Sequence, residues 1–232
     1  MYDDPIDNGP SELDKFNGIT RLFPLPNVVL FPSVLLPLHI FEPRYRQLVG
    51  DALESDQLIT MVLSKPSPVA NDMLPPIFDV GCIGYILHRE PLPDGRSNVV
   101  LRGLRRVHID REIQTDRLYR MAQVSILHEQ GLRENADEAA ARVMQALMQI
   151  IAASGRASDA QKLAFAHDMP PDQLCDLASH LLSFDVVAKQ SLLAELDVAN
   201  RIDSLLAWMT VLRMSLERGQ FRGDRDTKFS QN

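Results

Sequence analysis

Residues 22–49 read LFPLPNVVLFPSVLLPLHIFEPRYRQLV, the most apolar stretch of the chain, and five prolines interrupt it: Pro24, Pro26, Pro32, Pro37 and Pro43. A helix interior rejects proline, and a central strand loses a ladder bond at each one. The stretch therefore has to be short extended segments joined by turns. Pro24 and Pro26 read as the end of a first strand and Pro32 as the corner of a turn. Pro37 marks an edge or bulge position in a second strand, and Pro43 opens a helix, where its missing N–H costs nothing. In EPRYRQLVGDALES, Tyr45, Leu48, Val49, Ala52 and Leu53 recur at the spacing of one buried helical face. That face leaves Arg44, Gln47, Asp51 and Glu54 for solvent. Most of the apolar side chains are then core of a bent sheet, and the edge near Pro37 with the residues around Glu42 and Arg44 is left as a rim.

Working outward, five more strand-like segments rich in Val, Ile, Leu and aromatics lie at 20–23, 58–63, 78–88, 98–108 and 119–127, beside the one at 34–40. KPSPVANDMLPP (65–76) is a loop. PLPDGRSN (91–98) places Pro-Asp-Gly between two strand-like runs, a hairpin signal with Gly95 free to take positive φ. Gly81 and Gly84 in VGCIGYI fit a bulge or a close backbone crossing better than a phosphate loop, because no helix follows them.

From residue 135 the periodicity turns helical. DEAAARVMQALMQIIAAS ends at Gly155, Ser158 is placed to cap DAQKLAFAHD, and Pro170 and Pro171 lead into DQLCDLASHLL. FDVVAKQSLLAEL follows, and Asp197 is placed to cap a long last helix that Gly219 ends. Val198, Ile202, Leu205, Leu206, Met209, Leu212 and Leu216 form its apolar stripe. The expected class is α+β: an acidic leader over 1–18, taken as flexible, a β-rich lobe with one helix over 19–130, a helical bundle over 131–219, and a polar tail over 220–232.

Composition narrows the function. In 232 residues, 45% are hydrophobic and 24% charged, with a net charge of −7, which suits a globular protein and argues against a nucleic-acid partner. No run reaches the roughly 20 apolar residues of a membrane span, and the acidic start is no signal peptide. Cys82 and Cys175 have neither zinc spacing nor a disulfide pattern, so they read as buried thiols of a cytoplasmic protein. His39, His88, His108, His128, His167 and His180 form no ligand motif. There is no Walker A motif, no G-x-S-x-G and no S-x-x-K. Arg102, Arg105, Arg106, Arg111, Arg117 and Arg120 are interleaved with Asp110, Glu112 and Asp116, which reads as a solvated strand face with local ion pairs.

LFPLPNVVLFPSVLLPLHIFEPRYRQLV, GCIGYI, LPDGRSNVVLRGLRRVHI, YRMAQV and KQSLLAELDVANRIDSLL, in this order and at these separations, resemble the amino-terminal substrate-binding domain of Lon proteases over residues 19–218. Small bacterial proteins consisting of that domain alone are the nearest match. The resemblance implies a β-rich pseudo-barrel followed by a helical bundle with a long C-terminal helix. It implies no ATPase or peptidase domain, no cofactor and no metal. It also implies a non-catalytic module binding unfolded proteins or apolar peptides. For that role the proline-limited strand edge and its link to the helix make Leu35, Pro37, His39, Phe41, Glu42, Arg44 and Gln47 the expected contact residues. The family usually has Gly where this chain has Ser33, so a positive-φ turn there would be strained. Two other readings stand beside this one: an adaptor docking onto a protein such as a protease or chaperone through the helical half, with Trp208 as an anchor, and a small hydrolase using Cys82 or a histidine. The oligomeric state is left open.

Overall fold

A computed structural model of the protein describes residues 12–14, 16–67, 74–131, 136–154, 166 and 168–217. Six strands come first: β1 (Ile19–Leu25), β2 (Leu35–Ile40), β3 (Leu58–Leu63), β4 (Val80–Pro91), β5 (Ser97–Ile113) and β6 (Arg120–Ile126). Helix α1 (Pro43–Leu53) lies between β2 and β3. Four described helices follow: α2 (Ala136–Ala153), α3 (Pro171–Leu181), α4 (Val186–Ala194) and α5 (Val198–Glu217). The class is α+β, as the periodicity indicates. Ser158 and Gly219 with their assigned roles, and residues 220–232, lie outside the described residues.

The sheet order is β2-β5-β4-β3-β1-β6, and β5 pairs again with β6. That second pairing closes β5, β4, β3, β1 and β6 into a barrel. β5 makes this possible by its length of 17 residues: Ser97–Arg102 hold β2, and Val107–Ile113 hold β6. The glycine-tolerant bend expected at Gly84 is present as a register shift between Ile83 and Gly84. β5 runs five residues past the expected end at 108, because its DREI segment continues as an exposed hairpin with β6.

Pro24 does not end β1. It sits inside the strand opposite Val62, in the parallel pairing with β3. The Leu25 carbonyl accepts Ser64 N–H, so Leu25 faces β3 and Pro24 faces away. β6 pairs with β1 only through Leu22, so no strand asks Pro24 for the N–H it lacks. Its carbonyl accepts the Tyr45 hydroxyl at 2.8 Å, pinning α1 to the sheet.

The sheet carries two apolar clusters on its two faces. Leu22, Leu58, Val62, Ile83, Val107, Ala122 and Val124 form one. Leu13 and Phe16, from the segment read as leader, pack against it, and Glu12 pairs with Arg102. The other face is continuous with α1 and the helices: Phe23, Met61, Cys82 and Leu101 share a core with Val143, Leu174, Leu193 and Leu205. The capping reading of Asp197 holds, since its Oδ1 accepts Asn200 N–H at 2.9 Å. Asp185 caps α4 through Val187 N–H.

Arg106 departs from the solvated strand face. It is 2% exposed and gives two hydrogen bonds to Asp176 on α3, at 2.9 and 2.5 Å, and one to the Leu193 carbonyl at 2.8 Å. Glu129 and Arg201 complete the cluster. Of the other arginines, Arg120 makes the expected local pair with Glu112, whereas Arg117 pairs with Asp51 of α1 and Arg102 with Glu12, contacts that reach beyond the strand face.

Candidate functional site

The rim foreseen in the sequence is the free edge of β2 and its link to α1. β2 pairs only with β5. Gly103 N–H donates to the Val34 carbonyl, so alternation along the strand aims the main chain of Leu36, Leu38 and Ile40 at β5. The main-chain groups of Leu35, Pro37 and His39 point away from it and meet no hydrogen-bond partner among the described residues. Pro37 fits there because an outward position needs no donor.

Side chains follow the same alternation. Leu36, Leu38 and Ile40 are buried, whereas Leu35 is 53% exposed and Pro37 is exposed. His39 is half-buried: its Nδ1 donates to Asn98 Oδ1 at 2.9 Å, and Asn98 in turn donates to Glu90 at 2.9 Å. Phe41, 40% exposed, stacks on His39 with ring centroids 6.2 Å apart. Leu35, Pro37, His39 and Phe41 thus form one apolar ridge along an open strand edge.

Glu42, Arg44 and Gln47 are arranged differently. Arg44 Nε donates to Glu42 at 2.9 Å, and its guanidinium lies 4.5 Å from the Tyr45 ring centre. Gln47 Oε1 accepts Leu118 N–H at 2.9 Å, and Asp51 accepts from Tyr119 and Arg117. Of the four residues expected to face solvent on α1, only Glu54 is fully exposed. The β5–β6 connection packs over Gln47 and Asp51, a contact between segments about 70 positions apart that local periodicity does not encode.

Beyond Arg44 opens a cleft of about 540 Å³ that sequence reasoning missed. Pro24, Pro26, Tyr45 and Phe78 form one wall, and Val186 and Val187 of α4 form another. Val187 is 48% exposed, and Lys65 caps the Phe78 ring at 5.2 Å. The available signal was FDVVAK, which offers more apolar side chains at a helix start than a short helix needs to bury.

The remaining candidates resolve simply. Cys82 and Cys175 are fully buried, and burial pushes both thiols up to about 12, leaving no thiolate at neutral pH. Among the described residues no group of three His, Cys, Asp or Glu side chains is placed to hold a metal ion, and no helix is long and apolar enough to cross a membrane. Trp208 packs edge-on against Phe184, with centroids 5.8 Å apart, at the border of the core.

The family model of the ATP-dependent protease La (LON) substrate-binding domain matches residues 20–211. A Lon protease of Dictyoglomus thermophilum is 25% identical over 193 residues, which are 83% of this chain and 24% of that protein. The chain thus spans about a quarter of that relative's length. The N-terminal domain of the Mycobacterium avium complex Lon protease superimposes with a TM-score of 0.65 at 17% identity, covering 83% of this chain and 98% of that one. A Lon N-terminal domain protein from Xanthomonas campestris gives a TM-score of 0.60 at 25% identity, covering 82% and 98%.

Proposed function

The chain belongs to the LON substrate-binding domain family, and on that footing we propose that it is a non-catalytic module that captures extended, apolar polypeptide segments. The observation that carries this reading is the β2 edge. Outward main-chain groups without partners among the described residues stand beside exposed Leu35, Pro37 and Phe41. An extended segment can add to such an edge by backbone hydrogen bonds while alternate side chains rest on the apolar ridge. The cleft past Arg44 supplies a concave apolar surface for the same segment.

The test is fluorescence anisotropy with a labelled, permanently unfolded polypeptide. Saturable binding is expected, weakened about tenfold or more by Leu35→Glu combined with Phe41→Glu. Both side chains are exposed, so the fold survives the change. Wild-type protein that fails to saturate would sink the reading.

One observation favours a second reading, in which the helical half docks onto another protein. On the outer side of α5, Val211 is 62% and Met214 45% exposed, three positions apart on one face. Val211→Glu with Met214→Glu would then abolish a partner captured from cells while leaving peptide binding intact. A partner retained by that variant would discard it.

A further inference from the structure

We infer that the pocket between α1 and the β4–β5 hairpin is a carboxylate site, so that the module prefers segments carrying an acidic side chain or a free chain terminus beside their apolar residues. This deepens the peptide-binding reading and rests on it. The pocket is lined by Pro43, Arg46, Gln47, Arg89, Gly95 and Ser97. Arg46 and Arg89 are exposed, and neither has an ion pair or side-chain hydrogen bond with a described residue. The nearby carboxylates are engaged elsewhere: Glu42 with Arg44, Asp94 with Arg96, and Glu90 with the Asn98 amide. Two guanidinium groups without an ion pair to a described residue therefore share one concavity.

The third observation is Ser97. It is 2% exposed, lines this pocket, and its hydroxyl has no hydrogen-bond partner among the described residues. The hydroxyl opens onto the pocket rather than being sealed in the core, and there it is placed to meet an acceptor. Gln47 has its oxygen occupied by Leu118 N–H, which leaves its amide hydrogens as further donors. Two guanidiniums, a hydroxyl and an amide NH2 match the acceptor-only chemistry of a carboxylate.

Topology ties the pocket to the binding edge. Ile40, the last residue of β2, is directly opposite Ser97. A segment added to the free side of β2 would run two strand spacings, roughly 10 Å, from Ser97. A carboxylate near the end of that segment, where it passes Phe41, can reach over Pro43 into the pocket. Gly95 keeps the floor open: with φ +80 it carries no side chain, and a Cβ there would meet the Arg46 guanidinium.

The test has two parts. In the first, Arg46 and Arg89 side-chain N–H signals are followed by NMR while N-acetylglutamate or inorganic phosphate is titrated. Saturating shifts at both arginines with N-acetylglutamate, absent in Ser97→Ala, are expected. No shift at either arginine overturns the site whatever any peptide does, and a response to phosphate alone overturns the carboxylate assignment. In the second, one apolar peptide is compared as free acid, as amide, and with an internal Glu or Gln. Wild type is expected to bind the free-acid and Glu forms threefold to tenfold tighter than their neutral counterparts. In Arg46→Gln with Arg89→Gln that ratio falls to one while the amide form keeps its affinity. An unchanged ratio in the variant overturns the site, and arginine shifts without binding of any peptide leave the site standing and remove the edge-binding reading.

Discussion

Ser33 shows how one side chain sets a local energy. Val34 N–H reaches the Phe31 carbonyl at 3.4 Å, with Pro32 second and Ser33 third in the turn, and Ser33 takes φ +60. Proline second and positive φ third is the type II pattern, whose third position favours glycine. The turn cannot relax, because Ser33 N–H donates to the Gly103 carbonyl and Gly103 N–H to Val34, clamping it onto β5. Nor can Gly103 yield, since a Cβ there would sit 2.0 Å from the Phe31 carbonyl oxygen. The left-handed conformation costs a residue with a side chain about 1 kcal/mol. Glycine gives back part of that through its freer unfolded chain. Ser33→Gly is therefore expected to stabilise the fold by about 0.5 kcal/mol, read as a higher urea midpoint at unchanged slope, with Ser33→Ala giving no gain. The turn was legible in the sequence from Pro32 between two apolar runs, whereas the strain was legible only through the family resemblance, which usually puts glycine where this chain has Ser33. The Gly103 clamp was not, since it joins positions 70 apart.

At the scale of elements, proline placement made the β-lobe readable. Every strand was foreseen within a few residues except at the far end of β5, where HIDREI carries too many charges to look like a strand. There the alternation is real but both neighbours are solvent-facing, so burial gives no signal. Pro24 misled for a related reason: a strand can hold a proline wherever one of its sides has no neighbour, and sequence does not say which side that is. Pro37 was read correctly as an edge residue, and its presence has a consequence for association. An edge strand with outward main-chain groups and exposed Leu35 and Phe41 invites pairing with a second copy. Pro37 removes the middle outward donor and breaks that ladder. Pro37→Val is expected to leave monomer stability nearly unchanged, because the β5 side of β2 loses nothing. It should produce concentration-dependent dimers in sedimentation velocity beyond any seen for the wild type. An unchanged sedimentation profile would mean that this edge is not open in solution.

At the scale of the molecule, the question is what makes a barrel and a helical bundle one folding unit. Apolar packing contributes most of the contact, through the core that runs from Phe23 to Leu205, but it is not directional. Position is fixed by polar groups that cross the joint: Gln190 Nε2 to the Val80 carbonyl at 2.9 Å, Val198 N–H to the Gln130 carbonyl at 2.8 Å, and the cluster of Arg106, Asp176, Glu129 and Arg201. The cluster was invisible in the sequence because Arg106 and Asp176 are 70 positions apart and look like surface charges. It holds two arginines and two carboxylates, so removing a single member leaves it charged. Arg201 is 0% exposed, and its Nε and Nη2 already have no hydrogen-bond partner among the described residues. Asp176→Asn would leave both guanidiniums buried against Glu129 alone. Breaking a buried pair from one side costs about 3–5 kcal/mol, far more than the pair contributes when intact. Asp176→Asn is therefore expected to lower the unfolding free energy by that amount in urea. Arg106→Met combined with Asp176→Leu, which removes both charges of the main pair, should recover part of the loss. Hydrogen exchange would locate the effect: amides of α3 and α5 should lose protection before those of β3 and β4 in Asp176→Asn, while in wild type they open together. Equal loss of protection in barrel and bundle would show that apolar packing alone couples the two halves.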